Sequence, residues 1–122
     1  MAMKFDNKIP IYMQIINSIK IDIINGKVKP GDKLPSIREM AVNYKVNPNT
    51  LQRVYQELER EDITYTQRGT GSFIKEDGNM VKSLKKEMAR EVIENFIQSI
   101  KSFGFSDDEI VNVIRERLEG GE

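Results

Sequence analysis

Residues 36–75 constrain the fold more than any other stretch of this chain. They read as two short helices with strong start signals, a tight turn between them and a hairpin directly after. Ser36 followed by Glu39 is a capping box, which satisfies two orphan backbone N–H groups reciprocally. Asn47-Pro48 places a preferred N-cap before a proline at the first helical position. Only Asn43, Tyr44, Lys45 and Val46 are left to turn the chain between the two helices. Ile37, Met40, Ala41 and Tyr44 fall at i, i+3, i+4 and i+7, and Leu51, Val54, Tyr55 and Leu58 repeat that spacing. Each helix therefore buries one face and presents the other. A tight helix pair whose second member presents polar residues suggests a helix-turn-helix.

The flanking segments complete a small domain. Ile11, Ile15, Ile19 and Ile23 recur every four residues, with Tyr12, Ile16 and Ile24 widening the stripe. This predicts a helix from about Pro10 to Asn25, ended by Gly26. Lys29-Pro30-Gly31-Asp32 is a turn signal, and Lys33-Leu34-Pro35 a short extended link, because a residue before proline avoids the helical region. Ile63 to Gln67 alternates in polarity and is rich in β-formers, and Ser72 to Lys75 faces it across Arg68-Gly69-Thr70-Gly71. Two such runs around a glycine-bearing loop read as a β-hairpin.

Composition breaks at Glu76-Asp77-Gly78-Asn79, which reads as a linker. A long helix is expected from about Met80 to Ser102, with Leu84, Met88, Val92, Phe96 and Ile100 at spacing four and Ala89, Ile93 and Ile97 in the adjacent row. Gly104 ends it. Ser106 and Glu109 form a second capping box, Phe105 and Ile110 a hydrophobic staple, and Asp107, Asp108, Arg115 and Arg117 suit the dipole of a last helix. The expected fold is mostly α with a small β-hairpin. A winged helix-turn-helix over 1–77 is followed by a two-helix dimerisation region over 78–122.

Composition narrows the chemistry. The 122 residues contain no cysteine, which excludes disulfides and thiolate metal sites, and no histidine, which removes the commonest general base and metal ligand. Neither a metal nor a cofactor is expected. Asp107, Asp108 and Glu109 cluster, but they read as charges at a helix N-terminus, so no enzyme is expected. No apolar run reaches membrane-span length, and Met1 to Asp6 has no apolar core of a signal peptide; a cytoplasmic protein without a membrane partner is the expectation. Formal net charge is zero, but its distribution is uneven: residues 1–75 hold 12 Lys and Arg against 8 Asp and Glu, and residues 76–122 hold 7 against 11. The first part is the better partner for a polyanion.

Within it, the third helix carries the residue types that read base edges. Asn and Gln bond adenine bidentately, and Arg does the same to guanine. Asn49, Gln52 and Arg53 stand on its polar side, while Thr50 and the first N–H groups suit phosphate oxygens. Each residue alone is an ordinary solvated helix residue; four together behind a tight turn favour recognition. Arg38, on the polar side of the preceding helix, is placed to clamp a phosphate or a guanine. Ser36 is mainly a cap. Arg68, at the tip of a slim loop with Gly69 and Gly71, has the reach for a narrow minor groove. The candidate DNA-binding set is Ser36, Arg38, Asn47, Asn49, Thr50, Gln52, Arg53, Arg68, Gly69 and Thr70. A protein-interaction module is the rival reading, and it calls for an apolar recognition face in place of this polar one.

The stripe of residues 81–100 needs a partner, because two helices of about 45 residues bury too little surface alone. Folding back onto the first domain, a cofactor pocket and pairing with a second chain all serve. The width of the stripe favours pairing, through Leu84, Met88, Val92, Ile93, Phe96, Ile97, Ile100, Ile110 and Ile114.

From Ile9 to Ile74 the chain resembles the GntR family of bacterial transcription regulators. The resemblance is carried by Pro10-Ile11-Tyr12-Met13-Gln14-Ile15, by Gly26 through Glu39, by Asn47 through Glu59 and by Arg68-Gly69-Thr70-Gly71-Ser72-Phe73-Ile74. The short C-terminal region is similar to the YtrA subfamily, which lacks large effector-binding domains. The resemblance implies a homodimer on a palindromic operator in double-stranded DNA, often repressing its own operon, commonly one encoding an ABC transporter. It places DNA contacts on Arg38, Asn49, Thr50, Gln52 and Arg53, with Arg68 and Gly69 in the wing. A small-molecule effector is left unidentified, since the C-terminal residues match only in pattern. One departure is Asp62-Ile63 where the family usually has Gly-Leu; Asp tolerates the left-handed conformation less well than Gly, so a small stability cost is expected.

Overall fold

The computed structural model describes residues 3–120, so the first two and last two residues of the expected domains lie outside the described residues. Five helices and one hairpin follow in the order α1 (Ile11–Ile24), α2 (Ile37–Tyr44), α3 (Pro48–Arg60), β1 (Thr64–Gln67), β2 (Gly71–Ile74), α4 (Gly78–Lys101) and α5 (Asp107–Leu118). Two compact units divide between Leu84 and Lys85.

In the first unit, α1 and α2 both pack on α3. Their apolar rows meet as the spacing requires: Ile15, Ile19 and Ile23 from α1, Met40, Ala41 and Tyr44 from α2, and Leu51, Val54 and Leu58 from α3 are all buried. Lys20 Nζ reaches Glu61 Oε1 at 2.9 Å and ties α1 to the end of α3. Both helix starts are built as the sequence predicts. Glu39 N donates to Ser36 Oγ at 3.1 Å, and Ser36 N donates to Glu39 Oε1 at 3.3 Å. Asn47 Oδ1 accepts from Asn49 N at 2.8 Å, with Pro48 in the first turn.

The turn between α2 and α3 is tighter than expected. Asn43 and Tyr44 belong to α2, because Tyr44 completes its buried face and its hydroxyl donates to Ser18 Oγ at 3.3 Å. Lys45 then reverses the chain with φ +58, a left-handed residue that no glycine marks in the sequence. Asp62 takes the same conformation, φ +60, at the family's usual glycine position. Its short polar side chain is one of the few that tolerates it.

The hairpin is antiparallel, with Thr64 opposite Ile74, Tyr65 opposite Phe73 and Gln67 opposite Gly71. Gly71 therefore belongs to β2 and not to the loop, and Ile63 and Lys75 fall outside the paired strands. The Tyr65 and Phe73 rings stack at 5.7 Å between centroids, a cross-strand pair that fixes register. The extended link before α2 takes part in the same sheet. Lys33 bridges Phe73, Leu34 N donates to Ser72 O at 2.8 Å, and Ile74 N donates to Asp32 O at 2.8 Å. These bonds satisfy backbone groups on one edge of β2 and bury Leu34 against the core.

α4 begins at Gly78, so the linker is shorter than the composition suggests. Asp77 accounts for this: its Oδ1 accepts from Asn79 N at 2.9 Å, and its carbonyl accepts from Met80 N. In the second unit, Ser106 caps α5 with the expected box, Glu109 N to Ser106 Oγ at 3.3 Å and Ser106 N to Glu109 Oε1 at 3.0 Å. These bonds hold the exposed Glu109 carboxyl below its usual range. Ile100 and Ile110 are the apolar side chains buried there, among the described residues.

Candidate nucleic-acid interface

The polar face of α3 follows from its own periodicity. With Leu51, Val54, Tyr55 and Leu58 turned inward, Asn49, Gln52, Arg53 and Gln56 are left outward, and all four are exposed. Thr50 is half-buried toward α1. This face is bordered on both sides. Along one, Glu59, seven residues from Gln52, accepts through Oε1 from Thr66 N of the hairpin at 2.8 Å. Along the other, the Arg53 guanidinium lies 3.7 Å from the centre of the Tyr12 ring on α1. That cation–π contact draws Arg53 toward α1 and holds a long side chain in one place.

The predicted residues gather into two groups. Asn49, Thr50 and Arg53 share a shallow cleft of about 350 Å³ with Ile11 and Tyr12. Ser36 and Thr70 line a second cleft of about 550 Å³, between the start of α2 and the hairpin, together with Lys33, Tyr55 and Ser72. Arg38 and Gln52 line neither cleft; each is exposed on its own helix. Ser36 and Asn47 are spent on capping. Arg68 and Gly69 stand exposed at the hairpin tip, where Thr70 N donates to Gln67 O at 2.9 Å and Gly69 takes φ +79. A side chain with a Cβ is strained in that conformation, which is why glycine sits at the tip.

Tyr55 braces the second cleft from below. Its hydroxyl donates to Pro35 O at 2.6 Å, fixing α3 to the residue that precedes the α2 cap. Burial, with smaller contributions from Tyr44 and Glu39, raises its pKa well above the ordinary phenol range. The phenol thus remains a donor through the neutral range.

Sequence reasoning did not assign two residues to this surface. Tyr12 reads as part of the core stripe, and the helical spacing carries no sign that its ring meets Arg53 forty-one residues later. Lys33 reads as a link residue; its bridge to Phe73 is long-range. Alternation around the buried Leu34 is the one local signal for strand-like pairing there.

Among the described residues no helix is long and apolar enough to cross a membrane, and no three acidic side chains gather as a metal site.

The comparisons agree with this geometry. Residues 11–74 match the model of the family described as bacterial regulatory proteins, gntR family. An uncharacterized HTH-type transcriptional regulator, YhcF of Bacillus subtilis (strain 168), is 45% identical over 118 residues, covering 97% of this chain and 98% of its own. The HTH-type transcriptional repressor YtrA of the same organism is 40% identical over 109 residues, covering 88% of this chain and 83% of its own. A GntR family transcriptional regulator from Listeria monocytogenes superposes with a TM-score of 0.84 at 40% identity, covering 92% of this chain and 98% of that one. Built on a helix-turn-helix whose second helix exposes a polar face and on a glycine-tipped hairpin, the chain belongs to the GntR family of bacterial regulators and is a sequence-specific DNA-binding transcriptional regulator, not an enzyme.

Proposed function

We propose that this regulator is a homodimeric repressor of the YtrA-like type, binding a palindromic operator of its own operon through α3 and the hairpin. The observation that carries the reading is the exposed row of Asn49, Gln52 and Arg53, bordered by the hairpin on one side and α1 on the other. α3 in a major groove puts Gln52 and Asn49 within reach of adenine edges and Arg53 at a guanine or phosphate. Arg38, Ser36, Asn47 and Thr50 face the backbone, and Arg68, Gly69 and Thr70 track the neighbouring minor groove. Phosphate neutralisation makes such binding salt-dependent.

Dimerisation is supported by the second unit. Val92, Ile93 and Phe96 are exposed along α4 and Ile114 along α5, while Met88 and Ile97 are half-buried. A second copy covers such a face with two-fold symmetry, which a palindrome mirrors. Leu84, Ile100 and Ile110, also in the expected dimerisation set, are buried already in the single chain. Repression is supported by YtrA, a relative named for it. A DNA-binding chain of this composition works in the cytoplasm.

The test is fluorescence anisotropy of the purified chain on DNA from upstream of its own gene and on a scrambled duplex, at two salt concentrations, followed by footprinting. The expected result is tight, salt-sensitive binding that prefers the upstream fragment. The footprint should show two half-sites about 34–36 Å apart or a multiple of that. Equal, weak binding to both duplexes overturns the autoregulatory reading.

A further inference from the structure

We propose that the partly open cavity bordered by α1, the link before α2, and α2 itself is a binding site for a small organic ammonium ion, with Asp22 as its anionic anchor. Ile15, Ile19 and Asp22 fall at i, i+4 and i+7 of α1, so a carboxylate occupies a position that packing alone would give to an apolar side chain. Asp22 is only 7% exposed. The ion pairs among the described residues run Lys20–Glu61, Arg60–Glu57, Lys75–Asp62 and Lys101–Asp107, and none includes it. None of their side-chain hydrogen bonds ends on its carboxylate, although every fully sealed side-chain oxygen or nitrogen has a partner. The Asp22 carboxylate therefore opens into space, and that space is a cavity of about 320 Å³. A carboxylate this little exposed and without a partner in the chain lacks the contacts a buried polar group needs, and a cation entering the cavity supplies them.

The walls decide which cation. Ile19, Val28, Leu34 and Met40 make the lining largely apolar, and Asp32, whose Oδ2 already accepts from Lys29 N at 2.8 Å, adds a second, exposed carboxylate. Lys33 also lines the cavity, but its chain runs to the hairpin, where Cε stands 3.0 Å from the point a Cβ on Gly71 would take. A hard divalent ion seeks six or more oxygens, which two carboxylates and a hydrocarbon wall do not offer. An ammonium group on a short hydrocarbon tail uses both parts of the lining. The site also touches the sheet: the link forming its wall bonds β2 through Leu34 N to Ser72 O and Ile74 N to Asp32 O. An occupant thus bears on the strand that carries the hairpin. The proposal stands apart from the DNA reading and does not depend on it.

The probe is n-butylamine hydrochloride, titrated at neutral pH into the full chain while the methyl resonances of Ile19, Val28, Leu34 and Met40 are followed by NMR. Saturable shifts confined to these four are expected, with affinity at least tenfold weaker in the near-isosteric Asp22→Asn. Sodium butyrate should produce none of them. Val28→Phe fills the cavity from its half-exposed wall and should abolish the shifts even if Asp22→Asn proves poorly folded. Absence of saturable shifts, equal shifts with butyrate, or unchanged affinity in both variants overturns the site. The same shifts from magnesium chloride at equal concentration overturn its assignment to an organic cation.

Discussion

The two compact units spend similar apolar stripes in different ways. In the winged-helix unit, three helices and a hairpin converge, so Ile15, Leu51, Val54, Leu58 and Ile74 are wholly removed from water. In the C-terminal unit, the stripe of α4 is as regular, yet Val92 is 69% exposed and Ile93 52%, and Leu118 on α5 is 81% exposed. Hydrophobic periodicity thus states that a face is meant to be covered; it does not state by what. A face covered within its own fold stabilises the chain, whereas one left bare contributes nothing until a partner covers it, the role proposed above for a second copy.

Truncation in the two units should separate these roles. Leu58→Ala removes a side chain with no exposure and is expected to cost about 2–5 kcal/mol in urea unfolding. Phe96→Ala should leave intrinsic unfolding within about 0.5 kcal/mol, as surface changes do. In sedimentation equilibrium, however, it should weaken self-association by about 2 kcal/mol, the scale of an aromatic interface anchor. Equal effects of the two truncations on unfolding, with no change in association, would break the contrast.

Smaller effects are expected where the winged-helix unit meets its partner. Gln52→Ala and Arg53→Ala should each lower discrimination between operator and scrambled DNA by about 1–3 kcal/mol, with the fold unchanged by circular dichroism. Tyr12→Leu removes the ring beneath Arg53 and should cost operator affinity about 0.5–1 kcal/mol, restored by Tyr12→Phe. If Tyr12→Leu matches wild type while Arg53→Ala does not, Arg53 reads DNA without help from α1.

Alkaline pH probes the same unit through Tyr55 and Tyr44, both held above their ordinary value of 10.0, chiefly by burial. A folded pKa above the unfolded one keeps its full stabilisation below pH 10 and loses it as pH rises beyond, because only the unfolded chain then ionises readily. Unfolding midpoints should fall above pH 10, and less steeply in Tyr55→Phe. That variant should also lose about 1 kcal/mol at neutral pH with its bond to Pro35 O.

Much of the architecture was legible because its signals are local. Capping boxes at Ser36 and Ser106, Asn47-Pro48 and a glycine at the hairpin tip act within four residues, and each appears where the chain requires it. Helical spacing likewise assigned most of the buried faces of α1, α2 and α3 and left Asn49, Gln52 and Arg53 outside. Ile11, at the exposed start of the predicted α1 stripe, nevertheless stays 43% exposed, and Ile37, in the first turn of α2, is only half-buried. Departures arose where distant segments intervene. Tyr44 extends α2 because it packs in the core beside Ser18, and Gly71 joins β2 because Gln67 pairs with it.

The sequence by itself determined the elements, the capped helix starts and the polarity of the exposed face of α3, because capping, φ preference and periodicity are properties of neighbouring residues. Tertiary structure alone decided that Tyr12 lies under Arg53, that the Lys33–Pro35 link joins the hairpin sheet, and that Asp22 faces a cavity without a partner. These are meetings of segments far apart in the chain, set by how three helices and a hairpin close around one core, and no local spacing encodes them.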